Sequence, residues 1–357
     1  MTIDVEKSFG WVLAGFFTLY SVFMIFDGYG YLSKGVTILA FMVVLFSGGL
    51  YFKQFSENMN ERSLFLFPVI IILLVFSLIL GDHQLFKLFR VLNLVVVLLA
   101  FISLPEGVIK SFSLSLIYLS LLGLFLVTAM GGNPNGYGYI IAVMYLLNEK
   151  SFRVAIPLTL ILFFLGARGA ALLLIIGVLI EWSVITFQLN RNRVNYILFL
   201  VLGLLIVFQL YIAMLLYDSE LLNQILTKRP YIWGFYLDEI LSSSQWVVTG
   251  LGEVSIDVAE DAGSFVSLFS EFSRAYSPHS SYIVLLYEYG LVSSLILLFC
   301  FYIIIDRSSQ PTAALVFLLF LMSGFSVPVQ FGGVRVYDYL FVILLALNMR
   351  RARSRVV

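Results

Sequence analysis

Arg168, Arg229 and His279 are positions whose chemistry stands out in a chain that is otherwise close to continuous hydrocarbon. Arg229 opens the stretch Arg229-Pro-Tyr-Ile-Trp-Gly-Phe-Tyr-Leu-Asp-Glu-Ile-Leu. There Pro230 suits a first helical turn, and Ile232, Phe235, Tyr236 and Ile240 fall on one apolar face. The pattern predicts a short helix lying flat on a membrane surface. Arg229 would stand at its N-terminal end, where a guanidinium and free backbone N–H groups can share an anion. His279 lies in Ser277-Pro-His-Ser-Ser-Tyr; Pro278 marks a turn, and Ser280 or Ser281 can cap the helix that follows. Histidine exchanges protons near neutral pH, although a lone histidine at the start of a helix is structural more often than catalytic. Between Arg229 and His279, the carboxylates of Glu253, Asp257, Glu260 and Asp261 repeat at i, i+4, i+7 and i+8, on one helical face. Two readings fit them: a divalent-cation site, since hard cations take several oxygens, or a solvated helix face, the usual meaning of the pattern.

These residues need a scaffold, and composition says which kind. Of 357 residues 61% are hydrophobic and 12% charged, about half the charge of a soluble domain. The apolar residues come in runs long enough to cross about 30 Å of hydrocarbon as helices. Spans are expected at 9–26, 31–52, 64–80, 85–104, 112–130, 136–148, 152–167, 169–190, 194–217, 281–305, 311–327 and 336–349, about 12 in all. The fold class is therefore all-α, a polytopic transmembrane bundle. It forms a single membrane domain over 1–357, with one large outer loop at 218–280. The N-terminal segment lacks a basic region and a small-residue cleavage site, so the first run is expected to be a retained helix. Net charge is zero, which argues against nucleic acid as a partner. The one cysteine, Cys300, lies in an apolar run and can form no disulfide within the chain.

The basic residues give an orientation. With both termini inside, thirteen of the 21 Lys and Arg face inward and eight outward. Asn190-Arg-Asn-Arg and the tail Arg350-Arg-Ala-Arg-Ser-Arg are the firmest inner anchors. The long loop, Asn133-Pro-Asn135 and Arg168 then face out. Arg168 interrupts an apolar stretch from Val154 to Asn190 that would make a helix about 55 Å long if unbroken. Two helices turning at Arg168-Gly169 put the guanidinium at the outer rim instead, avoiding the ~3 kcal/mol of an arginine at mid-membrane. An interfacial anchor beside lipid phosphates is the plain reading of that position.

Four features, in this order, resemble the bacterial O-antigen polymerase and O-antigen ligase family of integral membrane glycosyltransferases. They are Gly132-Asn-Pro-Asn-Gly; Gly166-Ala-Arg-Gly-Ala-Ala-Leu; Arg229-Pro-Tyr-Ile-Trp with Val248-Thr-Gly-Leu-Gly about twenty residues later; and Pro278-His-Ser-Ser-Tyr-Ile-Val-Leu-Leu-Tyr-Glu-Tyr-Gly-Leu-Val. The resemblance covers roughly 125 to 295. Ala167 stands where the family usually has Ser, Ser280 where it usually has Asn, and the basic residue often found before Asn-Pro-Asn is absent.

The resemblance implies a GT-C-like fold in the bacterial inner membrane, with the active site on its periplasmic side. It implies a glycan donor on undecaprenyl pyrophosphate and a sugar hydroxyl as acceptor. Arg168 and Arg229 would clamp the pyrophosphate, since guanidinium groups pair with phosphate oxygens two bonds at a time. His279 would take the acceptor's proton, and Asn133, Asn135, Arg274 and Tyr282 would bind substrate. Two guanidinium groups can neutralise a leaving pyrophosphate, so no cofactor and no metal are expected. Partners would be the lipid-linked oligosaccharide, membrane lipid and a chain-length regulator protein. Polymerase is favoured over ligase, which would move the finished chain to lipid A-core. A transporter or flippase is the rival from another class; it would be marked by ionisable residues inside spans and interrupted helices. Glu181, Asp27 and Glu288 are the carboxylates near spans, and each is expected near an interface.

Overall fold

The structure is a computed structural model. It describes residues 5–26, 42, 45–46, 49–59, 68, 72, 95–131, 134–148, 151–226, 229–247, 250–251, 280–306 and 336–350. The described residues are almost entirely helical and contain no named strand. Apart from short helical turns at Phe52–Gln54, Phe55–Asn58 and Ser244–Val247, the helices include, in chain order, α1 (Val5–Phe26), α2 (residues 95–103), α3 (Glu106–Ala129), α4 (Asn135–Asn148) and α5 (Phe152–Phe164). They continue as α6 (Arg168–Thr186), α7 (Arg191–Leu215), α8 (Glu220–Ile225), α9 (Arg229–Ser242), α10 (Ser281–Asp306) and α11 (Val336–Met349). Four are long and apolar enough to cross a membrane: Glu106–Ala129, Arg168–Thr186, Arg193–Leu215 and Ser281–Ile304. Expected spans at 31–52, 64–80 and 311–327 lie wholly or mostly outside the described residues.

Helix α4 is the axis of the bundle. Every residue from Tyr137 to Leu146 is buried, as expected of a helix apolar all round and enclosed by protein. Small residues let its neighbours approach closely, the contact that helices use in lipid. Gly123 of α3 lies under the Tyr137 ring, and the Ser113 hydroxyl donates to Asn148 Oδ1 at 3.2 Å, so α3 and α4 run antiparallel. Gly138 faces Ala167 and Ala170, and Leu146 faces Gly177, so α4 and α6 run parallel. Phe152 meets Trp182 edge to face, pairing the start of α5 with the end of α6.

These contacts sort the connections into two ends. At one end the Ser111 hydroxyl donates to the Lys7 carbonyl at 2.8 Å, beside Asn148 and Ser113. Arg350 belongs to this end, and here a reading changes. The sequence suggests a tail anchor on the membrane surface; instead Arg350 is buried. Its Nη1 donates to the carbonyls of Phe101 (3.0 Å), Ile102 (3.3 Å) and Leu104 (2.6 Å). A helix C-terminus leaves such carbonyls without intrahelical donors, and a cation is the charge its dipole favours. At the opposite end lie the α3–α4 and α5–α6 turns and, through α7, the start of the long loop.

The expected turn at Arg168-Gly169 falls two residues earlier. Gly166 adopts φ +88°, its N–H donates to the Phe163 carbonyl at 3.1 Å, and the Ala167 N–H reaches the Leu162 carbonyl at 2.8 Å. This pair of bonds closes a helix on a left-handed residue, which glycine adopts without strain. Arg168 is therefore the first residue of the next helix. Helix α6 ends in a similar way, with the Leu189 N–H on the Val184 carbonyl at 3.1 Å, but there Gln188 takes the left-handed position at φ 49°.

Helix α10 is not the continuous span expected over 281–305. Gly290 has φ 75° and ψ 173°, which divides it into Ser281–Tyr289 and Leu291–Asp306. The Ser294 hydroxyl donates to the Leu285 carbonyl at 2.9 Å. In a straight helix, groups nine residues apart are separated by about 13 Å along the axis, so the chain folds back at Gly290. The nine residues before the break are too short to cross hydrocarbon unaided.

Candidate functional site

The site is built on the first turns of α4. Asn135 begins that helix, half-buried, after Pro134, whose fixed φ suits a helix start. The Gly166 turn closes on Pro134: a Cβ on Gly166 would lie 3.5 Å from Pro134 Cγ. Arg168 follows two residues later, exposed at the start of α6, its guanidinium carbon 5.8 Å from the Phe163 ring centroid. That is a cation–π contact, which orients the side chain while leaving its N–H donors available. Ala167 gives α6 no side-chain cap, and a helix N-terminus leaves its first N–H groups without intrahelical partners.

Arg229 reaches the same helix from the long loop. It begins α9, a helix where the sequence predicts one, and this helix packs against α7 and α10. Ile232, Trp233, Tyr236, Leu237 and Ile240 are buried in a cluster with Ile212 and Ala213 of α7 and Ile283 and Tyr287 of α10. Trp233, outside the predicted face, is fully enclosed at 0% exposure, while Phe235, inside it, is half-buried. Protein covers this helix because aromatic residues lie on more than one of its faces. The shared anion site at its N-terminus is also corrected. The Arg229 N–H donates to the Leu226 carbonyl at 3.2 Å, Pro230 has no N–H, and the Tyr231 N–H donates to Asn223 Oδ1 at 3.1 Å. Asn223 in turn donates to the carbonyls of Tyr217 and Ser219. Among the described residues, the Arg229 and Tyr231 N–H groups of this first turn are thus already bonded. Burial lowers the affinity of Arg229 for its proton, and the Tyr139 phenol of α4 acts in the opposite direction. Tyr139 stands one helical turn after Asn135. Arg168 and Arg229 thus stand at the same end of the bundle, Arg229 near Tyr139 of α4 and Arg168 over Phe163 of α5.

Ser280 confirms the capping expectation: the Ile283 N–H donates to its hydroxyl oxygen at 3.3 Å. Tyr282, expected to touch substrate, is 5% exposed and packs in the main core with α4. Its ring is thus enclosed by protein at the start of α10. His279, Arg274, Asn133 and the carboxylates Glu253, Asp257, Glu260 and Asp261 lie outside the described residues. Among the described residues no group of three His, Cys, Asp or Glu is placed to hold a metal ion.

Glu181 and Glu288, expected near an interface, are buried at 6% and 2% exposure. Glu288 adjoins the Gly290 break, and both it and Glu239 of α9 lie within electrostatic reach of the Tyr287 hydroxyl. The Leu251 N–H donates to the Tyr287 carbonyl at 2.6 Å, which joins the long loop to the broken helix. Gly250 touches that backbone so closely that a Cβ would lie 2.5 Å from the same carbonyl oxygen.

Sequence reasoning passed over Tyr139, Gln209 and Asn223. The amide of Gln209 deep in the apolar part of a 25-residue helix was the available signal. Comparison of the chain with protein-family models, curated proteins and solved structures finds no match.

Proposed function

We propose that the chain is a membrane glycosyltransferase that moves a growing polysaccharide from undecaprenyl pyrophosphate to a lipid-linked repeat unit. The reading is supported by two arginines at the end of the bundle where the long loop begins: Arg168, exposed at the start of α6, and Arg229, at the start of α9 within electrostatic reach of Tyr139 on α4. The acceptor hydroxyl oxygen attacks C1 of the donor sugar. The C1–O bond to pyrophosphate breaks with its electron pair, and the hydroxyl proton passes to His279. Arg168, its adjacent N–H groups and Arg229 neutralise the leaving pyrophosphate. No metal is required in this scheme. EDTA should leave a reconstituted assay active, and loss restored by Mg²⁺ would reverse that part.

Arg168→Ala, Arg229→Ala and His279→Ala should each abolish long-chain product while the protein stays in the membrane. A ladder of normal length from all three sinks the proposal. Transfer to lipid A-core by the same donor chemistry is separated by supplying each acceptor in turn. A specific observation keeps the transport reading in view: the break at Gly290 beside buried Glu288 is an interrupted helix bearing a carboxylate. Substrate uptake by proteoliposomes lacking any acceptor would decide for transport.

A further inference from the structure

Helix α7 runs from Arg191 to Leu215 through almost unbroken hydrocarbon, yet it holds Gln209 at 1% exposure. A buried amide in an apolar bundle is costly unless bonded. Its Oε1 accepts from the Ser280 hydroxyl at 3.0 Å, and Ser280 is itself buried. The same hydroxyl oxygen accepts the Ile283 N–H at 3.3 Å, so one serine both caps α10 and ties it to α7. At the far end of this short helical piece, the Leu251 N–H holds the Tyr287 carbonyl at 2.6 Å and the Ser294 hydroxyl holds Leu285 at 2.9 Å. The nine residues Ser281–Tyr289 are thus fixed at both ends by polar bonds within apolar surroundings. At the start of the piece, the bond to Gln209 links it to α7.

We propose that Gln209 is a positioning residue that sets the register of the first turn of α10, which carries Tyr282 and directly follows His279 in the chain. The inference rests on the functional reading above. Hydrocarbon alone does not fix a helix against sliding or rotation, because apolar contacts are non-directional. A hydrogen bond of fixed length does, and a misplacement of about 1 Å at a reacting group costs on the order of a hundredfold in rate.

The test uses the full chain in vesicles, with lipid-linked oligosaccharide extracted from the source strain deleted for this gene. Rates are taken per mole of folded protein. Gln209→Met keeps the volume and removes the acceptor oxygen; Ser280→Ala removes the donor; Gln209→Glu restores an acceptor. We expect Gln209→Met and Ser280→Ala each to lower kcat about tenfold or more, with KM changed less than about twofold. Gln209→Glu should recover most of the rate, and the double variant should be no worse than the weaker single variant. Wild-type kcat in both single variants overturns the proposal, as does a double variant whose losses multiply. If Gln209→Met does not fold, Ser280→Ala decides alone. His279→Ala is run beside them: full activity there defeats the functional reading itself, whereas an inactive His279→Ala with normal Gln209→Met and Ser280→Ala defeats only the positioning role.

Discussion

Arg168 and Arg229 carry one charge each in different surroundings. Arg168 is exposed and held over Phe163, whereas Arg229 is half-buried with its helix N-terminus already occupied. Lysine keeps the charge and loses the two-pronged fork, so Arg168→Lys should lower the rate roughly tenfold to a hundredfold. At Arg229 a second effect enters. Burial favours the neutral form of a cation, and lysine holds its proton less tightly than arginine to begin with. Arg229→Lys should therefore be most active at low pH and fail as pH rises, while the wild type keeps its charge; parallel pH–rate profiles would contradict this. Arg168 and Arg229 stand out in the sequence because charge is rare in such a chain. Tyr139 does not, because a tyrosine in an apolar run looks like core until the long loop brings Arg229 beside it. Asn223 was hidden for a similar reason: its value lies in reaching Tyr231, which only the fold supplies.

Helices α5 and α6 were legible as a pair because no single helix of that length suits a membrane. Their boundary shifted because the left-handed residue is Gly166, two positions before the arginine that drew notice. Gly166→Ala should cost about 1–2 kcal/mol through its dihedral, since the nearest atom leaves ordinary room for a methyl. The opposite change is expected at the other end of α6. Gln188 bears a side chain at φ 49°, so Gln188→Gly should raise stability by roughly 1 kcal/mol. Thermal unfolding of both variants in detergent checks the signs, and a rise for Gly166→Ala would contradict the assignment. The break in α10 was not legible at all. Hydropathy does not register a dihedral, and Gly290 sits among Tyr289 and Leu291 like any glycine in a span.

At the scale of the molecule, the alternation of spans brings Asn135, Arg168, Arg229 and the start of α10 to one end, and Lys7, Asn148 and Arg350 to the other. The two groups should meet different compartments. Cys300 is buried and quiet, so single cysteines can report sidedness. A membrane-impermeant maleimide should label Leu221→Cys in intact cells and Asn190→Cys only after lysis; the reverse result would invert the orientation. The count of basic residues foresaw this grouping but mistook the work of Arg350, because composition cannot tell a charge facing phosphate from one facing carbonyls.

That side chain also bears on the order in which the protein can be completed. Helix α2 receives its terminal donors from a residue 249 positions further along the chain. During synthesis at about 5–20 residues per second, that interval takes roughly 10 to 50 seconds. Throughout it, the carbonyls of Phe101, Ile102 and Leu104 lack the guanidinium that closes them. The C-terminal end of α2 is thus completed only by the last described helix to be synthesised.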